Sequence, residues 1–111
     1  MERIYNKLVR DRIPEIISNK GEQPITHILN DEEYKKELEK KLYEEYNEVL
    51  GATNSNDRIE ELADMLEILK ALASLENKTI EDVLEVADQK AQKRGGFKNK
   101  IFLEKVISDK N

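Results

Sequence analysis

Four carboxylates in this chain have a spacing that metal chemistry can use. Glu45 and Glu48 stand three apart, twelve residues follow, and Glu61 and Asp64 again stand three apart. Residues three apart share one face of a helix. At roughly 100° per residue, Leu38, Leu42 and Val49 fall within about 40° of one another. Glu45 lies inside that stripe and Glu48 at its edge. On residues 57–76, Ile59, Leu62, Ala63, Leu66, Leu69 and Ala73 form one apolar face. Ile68, Ala71 and Leu75 form a second, which Glu61 and Asp64 extend. Glu60, Glu67 and Ser74 make a polar strip between the two. A carboxylate on an apolar face is costly unless it is paired, protonated or bound to metal. Four brought together repel one another. A hard, oxygen-seeking divalent cation relieves that, with Mg²⁺ the usual candidate and Mn²⁺ the substitute.

The elements that must position these acids can be read from punctuation and period. Asp11 is a candidate cap for a short helix with Pro14 in its first turn, where the missing N–H is harmless. Ile13, Ile16 and Ile17 are its stripe and Gly21 its stop. Residues 22–30 form a loop or short extended piece whose apolar residues should cover part of the core. A second helix starts at Asn30 or Asp31 and runs to Leu50, with Gly51 as its stop. After a polar loop, a third starts at Asp57, with Glu60 three positions on in a capping-box arrangement, and runs to about Glu76. Asn77 and Lys78 turn the chain. A fourth runs from Thr79 to Arg94 and ends at Gly95-Gly96. Short loops between long helices imply antiparallel neighbours. The expected fold is an all-α antiparallel bundle of four to five helices, with the four acids converging at one level of the central hairpin.

Composition agrees. With 111 residues and 13.0 kDa, the chain reads as a single domain, residues 1–111. Ala, Glu, Lys, Leu and Arg make up 54 of the 111 residues, near the ~50% of long-helix proteins. There is no cysteine, which excludes disulfides, zinc thiolates and a thiol nucleophile. No apolar run approaches the ~18 residues of a membrane span. The first residues lack a signal-peptide core, so a cytoplasmic chain is expected. A net charge of −5 argues against a general nucleic-acid binder, but not against a phosphorylated small molecule reached through metal ions. A di-iron carboxylate bundle requires Glu-x-x-His motifs; the one histidine, His27, matches none and reads as an ordinary loop residue.

Glu44-Glu45-Tyr46-Asn47-Glu48 followed by Glu61-Leu62-Ala63-Asp64 resembles the EExxE…ExxD signature of the MazG-like all-α nucleoside triphosphate pyrophosphohydrolases. Asn6-Lys7-Leu8-Val9-Arg10-Asp11 and Lys93-Arg94-Gly95-Gly96-Phe97 look like its small stand-alone, phosphoribosyl-ATP pyrophosphohydrolase-like branch. The resemblance spans roughly residues 5–103, and its spacer is at the short end for that family. It implies Mg²⁺-dependent cleavage of a nucleoside triphosphate between the α and β phosphates, by a homodimer or homotetramer. Carried onto matching positions, it makes Glu45, Glu48, Glu61 and Asp64 the metal ligands, the same quartet that helical geometry selects. Glu44 or Glu45 is the candidate proton acceptor for the attacking water. Lys7, Arg10, Lys93 and Arg94 are the candidate phosphate clamp. Tyr34, Tyr43 and Tyr46 are expected to pack within the bundle or at a subunit interface. The doubly apolar third helix is the one expected to bury a face against another chain.

Competing readings remain distinct in what they predict. A phosphoribosyl-ATP pyrophosphohydrolase would share the site but not the substrate. A non-catalytic nucleotide-binding module would be stabilised by nucleotide without forming product. A plain structural oligomer would not respond to Mg²⁺ at all.

Overall fold

The computed structural model describes residues 1–108. Among them the chain is all-helical, with four helices and no strand: α1 (Ile13–Asn19), α2 (Asp31–Gly51), α3 (Ser55–Leu75) and α4 (Ile80–Arg94). It falls into two compact units, the first Met1–Ile80 and the second beginning at Glu81. No helix among the described residues is long and apolar enough to cross a membrane.

The first unit is built on the pair α2 and α3. Each has 21 residues, and only Ala52–Asn54 join them. So short a link forces an antiparallel hairpin, and the two helices pack along their length. Leu38 on α2 and Ala73 on α3 are the buried apolar residues. Tyr34, Leu42 and Val49 on α2, and Met65, Ile68, Leu72 and Leu75 on α3, are half-buried. Of the two apolar faces on α3, the one carrying Ile68, Ala71 and Leu75 therefore meets α2. On the other face Ile59, Leu62, Leu66 and Leu69 are exposed, whereas Ala73 is buried.

Helix ends follow local hydrogen-bond chemistry. Asn30 caps α2: its side chain accepts from the Glu33 N–H, and the Glu33 side chain accepts in return from the Asn30 N–H. Asn30→Ala removes that reciprocal pair. It is expected to cost about 1 kcal/mol, read as a lowered midpoint in urea. At α3 the cap is Asn54 rather than Asp57. Asn54 accepts from the Asp57 N–H at 2.9 Å, so the helix starts at Ser55. Asp57 thus occupies the third helical position, where an acid favours the positive end of the dipole. Likewise Asp11 does not cap α1; Arg12 holds that position with no side-chain cap bond.

Gly21 does end α1. With φ +83°, it sends its N–H to Ser18 O, while Glu22 N–H reaches Ile17 O. Asn77 ends α3 the same way, at φ +57°, with its N–H on Ser74 O and Lys78 N–H on Ala73 O. Both are Schellman closures, which need a left-handed residue after the cap. Gly51 is not the expected stop: it is the last residue of α2, and the chain leaves through extended Ala52.

The loop before α2 covers less than expected. Pro24 and Leu29 are half-buried, whereas Ile25, His27 and Ile28 are exposed. Tyr43 and Tyr46 are exposed on α2 and stack on each other, with ring centroids 6.4 Å apart. In the second unit every described residue is exposed. Its helix α4 ends as Gly95, at φ +80°, gives its N–H to Ala91 O.

Candidate metal centre

The hairpin is symmetric about Thr53. Glu45 lies eight residues before it and Glu61 eight after. With an equal rise on both antiparallel helices, the two carboxylates face each other at one height. Asp64 stands one turn farther from the loop, and Glu48 one turn nearer to it. Glu48 and Asp64 are thus separated in height by about 9 Å at 1.5 Å per residue. That offset decides which acids meet. Glu45, Glu61 and Asp64 offer ligand oxygens that all lie within 4.8 Å of one another. Glu48 is outside this group and exposed.

Glu45 carries the main electrostatic strain. Its Oε1 is buried and has no hydrogen-bond partner. Its carboxyl is pushed up from 4.5 to about 7, first by burial and next by a side-chain hydrogen bond with Glu61. The negative charges of Glu61, Asp64 and Glu48 act in the same direction. A proton on Glu45 thus offsets the crowding of acids; a cation would do so without consuming the carboxylate. The donor set is all oxygen, with no imidazole or thiolate, which suits a hard divalent ion. The unpartnered Oε1 is an acceptor with nothing to accept from. Glu45, Glu61 and Asp64 therefore fit Mg²⁺ or Mn²⁺.

Beside the triad lies an open groove of about 430 Å³ at the loop end of the hairpin. Glu44, Glu48, Asp57 and Glu61 line it, together with Asn47 and Thr53. Its size falls in the ~300–1,000 Å³ range of small-molecule sites. Four acids facing one groove disfavour a bare anion there, so an anionic guest needs cations with it.

Arg10 is the basic residue that reaches the cluster. Its Nη2 donates to Asp64 Oδ1 at 2.6 Å. This joins the segment before α1 to the second helix of the hairpin. Arg10, a candidate for the phosphate clamp, here is the counter-charge of Asp64. Arg10→Ala should tighten divalent-cation binding several-fold, since it removes a positive charge from beside the site. Calorimetric titration with Mg²⁺ and Mn²⁺ checks this. Stability should change little, because both partners are about half exposed.

Lys7 is exposed in the segment before α1. Lys93 and Arg94 form the last turn of α4 in the second unit. Arg94 lines a groove of about 170 Å³ with the following residues to Ile101. Asp57 and Thr53 were not foreseen as groove residues. Their signal was present in Asp57 lying one helical turn before Glu61, on the same face.

No family model matches the chain, and no solved structure matches it. A protein of Mycolicibacterium smegmatis, described as an uncharacterized protein, is 43% identical over 54 residues. That stretch covers 49% of this chain and 55% of the relative. The match thus spans about half the length of each.

Proposed function

We propose that this chain is a Mg²⁺-dependent nucleoside triphosphate pyrophosphohydrolase of the MazG-like type, acting as a homo-oligomer. The observation that carries the reading is the oxygen triad of Glu45, Glu61 and Asp64, with the unpartnered Glu45 Oε1, opening beside an acidic groove. This is the arrangement expected where cations must join an acidic protein to an acidic substrate. Of the four carboxylates that the motif resemblance implies as ligands, Glu45, Glu61 and Asp64 lie together. Glu48 borders the groove and is the candidate to contact a cation from the phosphate side.

Bound Mg²⁺ supplies neutralisation of phosphate oxygens and a lowered pKa for water. The side chains supply the rest. Glu45, Glu61 and Asp64 hold the cation. Glu44 is exposed on the groove wall and is not in the triad, so it is the carboxylate left to take a proton from the attacking water. Water oxygen adds to phosphorus, and the α–β anhydride bond breaks. Its electron pair leaves on pyrophosphate, and nucleoside monophosphate remains. Arg10, which pairs with Asp64, would be a candidate to contact the departing phosphates. Lys7, in the same unit as Arg10, is the second candidate for that clamp. Oligomerisation would bury the exposed apolar faces and complete the bundle.

The test is pyrophosphate release from a panel of ribo-, deoxyribo- and modified nucleoside triphosphates and phosphoribosyl-ATP, with Mg²⁺ and with EDTA. Release that requires Mg²⁺ is the expected result. Silence across the panel from folded protein, with a Mg²⁺-dependent rise in melting temperature, would replace hydrolysis with a binding module.

A further inference from the structure

Residues 1–12 form neither helix nor strand, and two ion pairs hold them. Arg3 pairs with Glu22, which lies beyond α1, so residues 3–22 close on themselves around one short helix. Arg10 pairs with Asp64 on α3, 54 positions away. Within the first unit α2 and α3 pack on each other, and α1 packs on neither. The Arg10 pair is therefore the ion pair that joins residues 3–22 to the hairpin.

The same pair touches the metal centre. Asp64 is one of the three carboxylates whose oxygens gather within 4.8 Å of one another. Its Oδ1 accepts from Arg10 Nη2 at 2.6 Å, the short distance of a charge-assisted bond. The guanidinium thus already lends one positive charge to a crowded set of acids.

We propose that residues 3–22 form a strap latched to the metal centre by Arg10, and that a divalent cation held by Glu45, Glu61 and Asp64 unlatches it. This rests on the metal centre, not on the reaction proposed for it. Guanidinium and cation are alternative counter-charges for Asp64. Once Asp64 gives its charge to a cation it attracts Arg10 less, and the two positive groups repel at short range. Arg10 leaves easily. Its side chain is 57% exposed and that of Asp64 49%, and an ion pair so open to water is weakly held. With no helix packed on α1, nothing comparable keeps the strap on the hairpin once that pair opens. Linkage makes the effect reciprocal: the factor by which the cation weakens the latch is the factor by which the latch weakens cation binding. Arg10 is then free to meet an anion only in a chain whose centre is already loaded.

The chain has no cysteine, so spin labels can be placed at chosen sites. The full-length double variant Val9→Cys/Lys40→Cys carries one nitroxide on the strap and one on α2, both at exposed positions. Pulsed electron paramagnetic resonance reads the distance between them, and calorimetry on the unlabelled parent reads Mg²⁺ binding. The expected result is one narrow distance in EDTA and a longer, broader distribution in Mg²⁺, with a midpoint that matches the calorimetric one. Adding Arg10→Ala to the labelled chain should give the broad distribution already in EDTA. Mg²⁺ should then change it little while binding several-fold more tightly. Arg10→Lys, which keeps the charge, should restore part of the narrow population. Mg²⁺ binding with an unmoved narrow distance would overturn the strap and leave the metal centre standing. A narrow distance that survives Arg10→Ala would overturn it too, because other contacts would then hold the segment. Absence of Mg²⁺ binding to the parent would remove the metal centre and the strap with it.

Discussion

Asp64→Asn is expected to lower pyrophosphate release by roughly 10²–10³-fold, because a lost ligand oxygen forfeits several kcal/mol of transition-state charge stabilisation. The substitution keeps the size and shape of the side chain, removes its charge and turns one acceptor oxygen into an NH₂ donor. Asp64 is paired with Arg10 at 2.6 Å and is about half exposed, so losing this ion pair should shift metal-free stability by less than about 1 kcal/mol. Measuring turnover and urea stability on the same preparation separates chemistry from folding. Glu61→Gln should match it in turnover. Retention of full activity in both variants would remove the triad from the reaction and sink the hydrolase assignment. Adding Mn²⁺ at high concentration should rescue Asp64→Asn in part, since the other two oxygens remain.

The second large effect concerns Glu45 and pH. Its carboxyl rises from 4.5 to about 7 in the folded chain, first through burial and then through Glu61, Asp64 and Glu48. A raised acid pKa stabilises the fold fully below the unfolded value and loses that contribution as pH climbs through the folded value. Metal-free protein should therefore lose stability between about pH 4.5 and pH 7–8, by on the order of 2–3 kcal/mol shared across the cluster. Glu45→Gln carries no titrating proton there. Its stability should be nearly flat over that window and should exceed the parent's at pH 8 in EDTA. Mg²⁺ should reverse the order near neutral pH, stabilising the parent while releasing a proton and doing little for Glu45→Gln. Urea midpoints at half-unit pH steps, with EDTA and with Mg²⁺, read all of this. A parent chain that instead grows more stable across that window in EDTA would show that the carboxylates are not crowded as described.

Both effects trace to residues that were visible in the sequence, though not to the whole arrangement inferred from it. Glu45 inside the Leu38–Leu42–Val49 stripe and Glu61 on the second face of α3 could be found by counting around a helix. Their equal distance from Thr53 could be found by counting along the chain. The four acids do not share one level. Spacing of three within each pair moves Glu48 toward the loop and Asp64 away from it, because the helices run in opposite directions. The caps show a similar limit. Asn30 with Glu33 was legible as a pattern. Asp57 with Glu60 offered the same pattern, yet Asn54 had the earlier backbone N–H within reach and took the cap.

What the sequence determined by itself is the local part: helical periods, the turn residues Gly21 and Asn77, and carboxylates on faces where apolar side chains belong. Each follows from interactions spanning a few residues, and those leave a period or a spacing behind. The tertiary structure alone decided which face of α3 meets α2, which three acids converge, and that Arg10 arrives at Asp64 from 54 positions away. Such contacts follow from packing two helices side by side and leading an extended segment back across them. Nothing periodic in the chain encodes that distance, so it is visible only once the hairpin has closed.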